Sequence, residues 1–283
     1  MWFIYSIVNV IVASFVDIIN FKLAKSLKSS TILFFSNLIT LPITIAYFFL
    51  NNEQINLSIN YWTLLSISSN VLATYILLNQ MKKTTLNNVA LSYGSRIVFT
   101  TFISIIYIGM PIMSIFITFI ASLLIITSIL INNPYHKKSD SQRFNLGVFI
   151  PPLLYSLYAT FGKFAMLTTT PTSFTFSLLF GVTIGSLILF IKDNRSHNEQ
   201  IPRKYFFKKI LPLLFLNGLL CFIAFLTISL AIQQGNLAYI TAIQMSRGNL
   251  LSIFDVIHNK SGKIKEKIHI YLLNLLGILL IIL

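Results

Sequence analysis

Charge is scarce in this 283-residue sequence, where only 10% of residues are Asp, Glu, Lys or Arg, against about a quarter in ordinary soluble domains. Acid is scarcest: seven carboxylates face 21 lysines and arginines, for a net charge of +14. A soluble chain of this length needs a polar surface, and charges this few and this clustered do not supply one. Cysteine is nearly absent. The single Cys221 excludes an internal disulfide and any thiolate cluster. The four histidines, His136, His197, His258 and His269, sit in or beside basic segments without ligand spacing, so no metal site is expected. There is no phosphate-binding glycine loop, zinc-protease signature or dinucleotide fingerprint, and no clustered nucleophile, base or metal set. No catalytic residue, cofactor or enzymatic activity is expected. A basic n-region and a small-residue cleavage site are also missing from residues 1–21, which read as a first span rather than a signal peptide.

What the sequence has in quantity is apolar length. It is 55% hydrophobic, with mean hydropathy +0.80. Its apolar runs are too long and too weakly alternating for tilted barrel strands, and each is long enough to cross hydrocarbon as a helix. Ten spans are predicted, at 2–21, 31–50, 61–80, 86–107, 110–131, 146–166, 173–191, 210–232, 237–257 and 268–283. The expected fold is an all-α membrane protein, ten transmembrane helices as two inverted five-helix repeats. Residues 1–131 would form the first repeat, 132–145 a linker, and 146–283 the second. The halves align in part: Lys22, Ala24, Thr31 and Ser36 meet Lys163, Ala165, Thr172 and Ser177, and further on Ser95 and Arg96 meet Ser246 and Arg247. Five spans per half is an odd number, so the second half would be inverted, an arrangement that recurs in transporters.

The net positive charge would point to nucleic acid in a soluble protein. Here it points to orientation. Of the basic residues, only Arg96, Lys163 and Arg247 fall within predicted spans. The rest flank spans on one side, at Lys22–Lys28, Lys82–Lys83, Lys137–Arg143, Lys192–Lys209 and Lys260–Lys267, whereas the other side carries only Glu53. By the positive-inside rule this puts both termini outside the cytoplasm. The expected location is the cell (inner) membrane, with lipid as a partner and no nucleic acid.

A charge within a span is costly unless it is paired, solvated or facing a cavity. Arg96 lies near the middle of its span in SYGSRIVFT, and Arg247 does so in QMSRGNLLS. Two readings follow. In one, the arginines lock the bundle by capping carbonyls or pairing with Asp17 or Asp255. In the other, they give a central cavity positive potential and hold an anionic or zwitterionic group. Tyr93 lies one turn before Arg96 and Gln244 one turn before Arg247, each placed to face the same cavity. Asn249 is a further candidate with Ser252. Asp17, sharing a helix face with Asn20, is the candidate for proton coupling, and Lys163 is a candidate substrate gate or a snorkelling lysine. Asn70, Thr74 and Asn79 line a cavity or bond across helices, while Gly181 and Gly185 suit close helix packing. Pro151-Pro152 is a candidate bend.

Several segments resemble the EamA-type carriers of the drug/metabolite transporter superfamily. AIQQGNLAYITA, residues 231–242, looks like that family's hairpin, with Asn79–Ala90 as its counterpart. Leu276-Gly277-Ile278 resembles the glycine-bearing last span, and Lys22 and Lys163 resemble the lysine after the first helix of each repeat. The glutamate often found in the turns after the family's fourth and ninth spans is absent here; Gly109 and Lys260 lie near those places. The resemblance implies a secondary transporter, a monomer or homodimer, for a small amino-acid-like metabolite. Related carriers of nucleotide or sugar phosphates, and a non-transporting assembly role, are the alternatives.

Overall fold

The computed structural model describes residues 1–53, 56–83, 89, 93–96, 98–100, 102–103, 116, 120, 123–124, 146–194, 205–258 and 276. Seven α-helices have defined bounds among them: α1 (Trp2–Ala24), α2 (Ser29–Leu50), α3 (Tyr61–Lys83), α4 (Ile150–Ala165), α5 (Pro171–Asn194), α6 (Leu211–Gln234) and α7 (Leu237–His258). A 3-10 turn, Leu146–Phe149, leads into α4 and a π turn, Phe206–Ile210, into α6. Residues 93–96 and 98–100 are also helical.

The expectation of ten transmembrane helices in two inverted five-helix repeats is corrected. Among the described residues, five helices are long and apolar enough to cross a membrane: Trp2–Ala24, Ser29–Leu50, Tyr61–Lys83, Pro171–Asn194 and Phe206–Gln234. Two expected spans fall short for physical reasons. Helix α4 has 16 residues, which at the α-helical rise is about 24 Å, less than the hydrocarbon core. Helix α7 has 22 residues, but Gln244, Arg247, Asn249 and Asp255 interrupt its apolar character. The expected spans at 86–107, 110–131 and 268–283 lie largely outside the described residues, and so does the linker 132–145. With five apolar helices of spanning length, the chain is a multi-pass membrane protein, in keeping with a cell (inner) membrane location.

These helices are held by packing more than by their own polarity. Helix α1 packs along α6 and α7, α3 along α4, and α2 along α5 and α6. Glycine sets two of the approaches. A Cβ on Gly185 of α5 would stand 3.0 Å from Val71 of α3, and one on Gly218 of α6 would stand 3.0 Å from the Ser36 carbonyl of α2. At the second contact Thr40 Oγ1 donates to the Gly218 carbonyl at 2.9 Å. Most hydroxyls bond the preceding turn of their own helix, as Ser14, Thr44 and Thr241 do, which satisfies them without a partner helix. Pro151 and Pro152 stand in the first turn of α4, where no intrahelical N–H is required. They start the helix rather than bend it.

The two ends of the bundle differ in charge. At one end Lys25 Nζ donates to the Met81 carbonyl and Lys28 Nζ to the Asp193 carbonyl. Those bonds bring together the end of α1, the end of α3 and the end of α5. Phe35 meets Phe206 there, adding the start of α6 with Lys208 and Lys209. At the other end Trp2 stacks on Tyr239 and Asn60 Nδ2 donates to Thr168 Oγ1. Glu53 follows α2 at that end.

Candidate functional site

A partly open cavity lies among the helices, enclosing about 890 Å³ of atom-free space, open solvent included. One face of α1 supplies Asn9, Asp17 and Asn20, spaced so that successive turns point the same way. Helix α2 adds Ser36 and Asn37, α3 adds Asn70 and Thr74, and α4 adds Tyr155 and Tyr158. Asn217 and Cys221 come from α6, Gln244 and Arg247 from α7, and Arg96 from the helical residues 93–96. Ile32, Leu33, Leu77 and Ile228 form apolar wall between these groups.

Arg247 is held by Asp17. Its Nη2 lies 2.5 Å from Asp17 Oδ1, and its Nε donates to Oδ2 at 2.6 Å. This is a bidentate fork on one carboxylate, the geometry that guanidinium favours. The Asp17 side chain is 1% exposed and that of Arg247 17%. The buried Tyr93 ring lies against the Arg247 guanidinium, 4.7 Å from its centroid, which adds cation–π attraction. Tyr93, expected to face the cavity with Arg96, is thus beside Arg247. Asp255 is closer to Arg247 in sequence, but its side chain lies outside the described residues.

Arg96 has no carboxylate partner among the described residues. It is 6% exposed. Its Nη2 donates to the Tyr155 carbonyl at 3.4 Å, a long bond, and the guanidinium lies 5.7 Å from the Tyr155 ring centroid. Among the described residues its Nε meets no hydrogen-bond partner. The backbone around it is pinned: Ser156 Oγ donates to the Arg96 carbonyl at 3.1 Å, and Thr100 Oγ1 donates to Ser156 Oγ at 2.9 Å. An unmet buried donor on a charged group costs at least about 1–3 kcal/mol.

Amide side chains complete the lining. Asn9 Nδ2 donates to the Ala224 carbonyl at 2.7 Å, and Gln244 Nε2 donates to Asn9 Oδ1 at 3.0 Å. A carbonyl only accepts, so this chain fixes which way both amides point. Gln244 Oε1 is left buried without a donor. Asn217 Nδ2 donates to Asn20 Oδ1 at 2.9 Å and to Ser36 Oγ at 2.8 Å, and its own Oδ1 is likewise unmatched. Tyr158 Oη has no partner either, whereas Tyr155 Oη pairs with Thr74 Oγ1 at 3.0 Å.

Of the residues singled out in the sequence, Arg96, Arg247, Gln244 and Asp17 line the cavity together, with Asn70 and Thr74. Lys163 does not line it. Its Nζ donates to the carbonyls of Ile232, Gln233 and Gly235 at 2.6, 3.1 and 3.1 Å, closing the carbonyl end of α6, where a cation is favoured. Asn79 accepts from Ser29 Oγ at 2.8 Å instead of facing the cavity. Ser246 Oγ bonds the Ile243 carbonyl of its own helix. The side chain of Asn249 lies outside the described residues. The sequence reading did not single out Asn217, Tyr155 or Tyr158 as site residues. Buried Asn217 in the apolar run FLNGLL offered the one local signal.

No protein-family model matches this chain, and no curated protein matches it. Solved structures do. One crystal structure superposes with a TM-score of 0.75 over 98% of this chain and 94% of that chain, at 9% sequence identity. At that identity the likeness is one of fold alone.

Proposed function

We propose that this protein is a secondary transporter, carrying a small polar anionic or zwitterionic metabolite of amino-acid-like size across the membrane by alternating access. One observation carries the reading. A partly open polar cavity lies among the helices, and a buried guanidinium, Arg96, lines it without a carboxylate partner among the described residues. Polar cavities are rare within membrane bundles unless a solute or ion uses them. The local resemblance to EamA-type carriers agrees with this. In such a carrier Arg96 draws the anionic end of the solute, and Gln244 and Asn217 orient the remainder.

Asp17 is the proposed coupling group. Protonated, it no longer neutralises Arg247, so a proton arriving at Asp17 releases a second cation into the cavity. The basic end of the bundle faces the cytoplasm on this reading, and Met1 faces outside. On this reading the protein is a carrier rather than an enzyme. The Arg247–Asp17 pair favours a second reading, an assembly protein locked by one internal ion pair, which needs no solute.

Reconstitution into proteoliposomes separates the two. Preloaded vesicles are assayed for counterflow of labelled amino acids, hydroxy acids and sugar phosphates. Saturable counterflow supports the carrier, and folded protein that exchanges none of the panel supports the assembly role.

A further inference from the structure

We infer that the cavity takes a small monocarboxylate of net charge −1 bearing a hydroxyl or amide donor, with the carboxylate on Arg96 and the donor on Gln244 Oε1. The inference deepens the proposed function and rests on reading this cavity as a solute site. It starts from charge. Among the described lining residues, two guanidinium groups, Arg96 and Arg247, stand against one carboxylate, Asp17. The fork between Arg247 and Asp17 uses both oxygens of that carboxylate, so the remaining positive charge belongs to Arg96. A bound monoanion brings the enclosed charge to zero. A zwitterion leaves it at +1, and a dianionic phosphate takes it past zero to −1. In a site set among helices and lined in part by apolar side chains, an uncompensated charge is disfavoured.

The unpartnered polar atoms give the chemistry. Arg96 Nε is a buried donor without an acceptor, and a planar guanidinium matches a carboxylate through two parallel N–H groups. Among the described residues, Gln244 Oε1 and Asn217 Oδ1 are buried acceptors without donors, 8% and 1% exposed as residues. The Asn9 bond fixes the Gln244 oxygen as the free atom. A ligand for this site therefore presents an acceptor pair at one end and an O–H or N–H at the other. A bare carboxylic acid meets half of that requirement, and a neutral amide meets the other half.

The test uses purified full-length protein in detergent, with thermal stabilisation by added solute as the binding readout. The probes are L-lactate, propionate, L-lactamide, L-alanine and inorganic phosphate. We expect L-lactate to bind most tightly, about tenfold or more ahead of propionate, the value of one well-made hydrogen bond to a buried group. Arg96→Lys keeps the charge but loses the fork, and weakens L-lactate by about tenfold. Gln244→Met removes an acceptor and narrows the gap between L-lactate and propionate while both still bind. Tighter binding of L-alanine, L-lactamide or phosphate than of L-lactate overturns the inference, as does binding that survives Arg96→Met or a wild-type protein stabilised by no probe. Counterflow in proteoliposomes is run beside it. Lactate binding without counterflow keeps the inference and defeats the transport reading; counterflow of another solute without lactate binding does the reverse.

Discussion

Ser95-Arg96 and Ser246-Arg247 are the same dipeptide, each placed in an apolar surrounding, and they have different fates. Arg247 meets Asp17 in a two-oxygen fork and lies against the Tyr93 ring. Arg96 is more deeply buried, yet among the described residues it has one long bond to a backbone carbonyl and an unmatched Nε. The difference teaches that a buried charge is not one kind of feature. A pair with good geometry resists the removal of either member, because the survivor is left as an uncompensated ion in low dielectric. An unpaired charge is already a strain on the fold, so removing it relieves the protein while removing a means of attracting an anion.

The largest effect should come from splitting the pair. Asp17→Asn leaves Arg247 buried without its carboxylate, and Arg247→Met leaves Asp17 likewise; each should lose about 3–5 kcal/mol of stability, read as a fall in melting temperature and in folded yield. The double variant D17N/R247M should recover much of that loss, since no ion is then stranded, and a double-mutant cycle measures the coupling. Arg96→Met sharpens the contrast from the other side. It should change stability by no more than about 1 kcal/mol in the unfavourable direction, because the transfer of an unmet charged donor out of the protein offsets the lost packing.

Lys163→Ala should have the smallest effect. The ammonium closes the end of α6 by bonding three carbonyls, and charge at a helix terminus is worth about 0.3–1 kcal/mol, up to ~2 where partly buried. Its melting temperature should fall slightly, with the preference among solutes unchanged. A large change in solute preference would mean that the cavity senses Lys163, and the division between one structural and one ligand-facing arginine would have to be redrawn.

How far the sequence reaches is clear from these same residues. Arg96, Arg247 and Asp17 were visible because an ion in an apolar run is chemically conspicuous. Their partners were not. Asp17 and Arg247 are separated by 230 positions, while Asp255 lies two turns from Arg247, and only packing of α1 against α7 decides between them. Lys163 looked like a gate because a lysine near the outer end of a span has two uses, and the carbonyls it closes belong to a helix far along the chain. Asn9, Asn217 and Tyr155 carry no charge and sit among many similar polar residues, so their convergence on one cavity is a property of the fold. The span count failed for a related reason. Hydropathy marks apolar runs, but α4 is short and α7 carries polar groups toward the cavity, and both read in sequence as ordinary crossings.

The most direct measurement is solute counterflow by Arg96→Met in proteoliposomes, with its melting temperature taken on the same preparation. The variant should melt at or near the wild-type temperature and exchange no solute above protein-free vesicles. A folded R96M variant that exchanges solute at the wild-type rate would contradict it, and so would one that loses as much stability as Asp17→Asn.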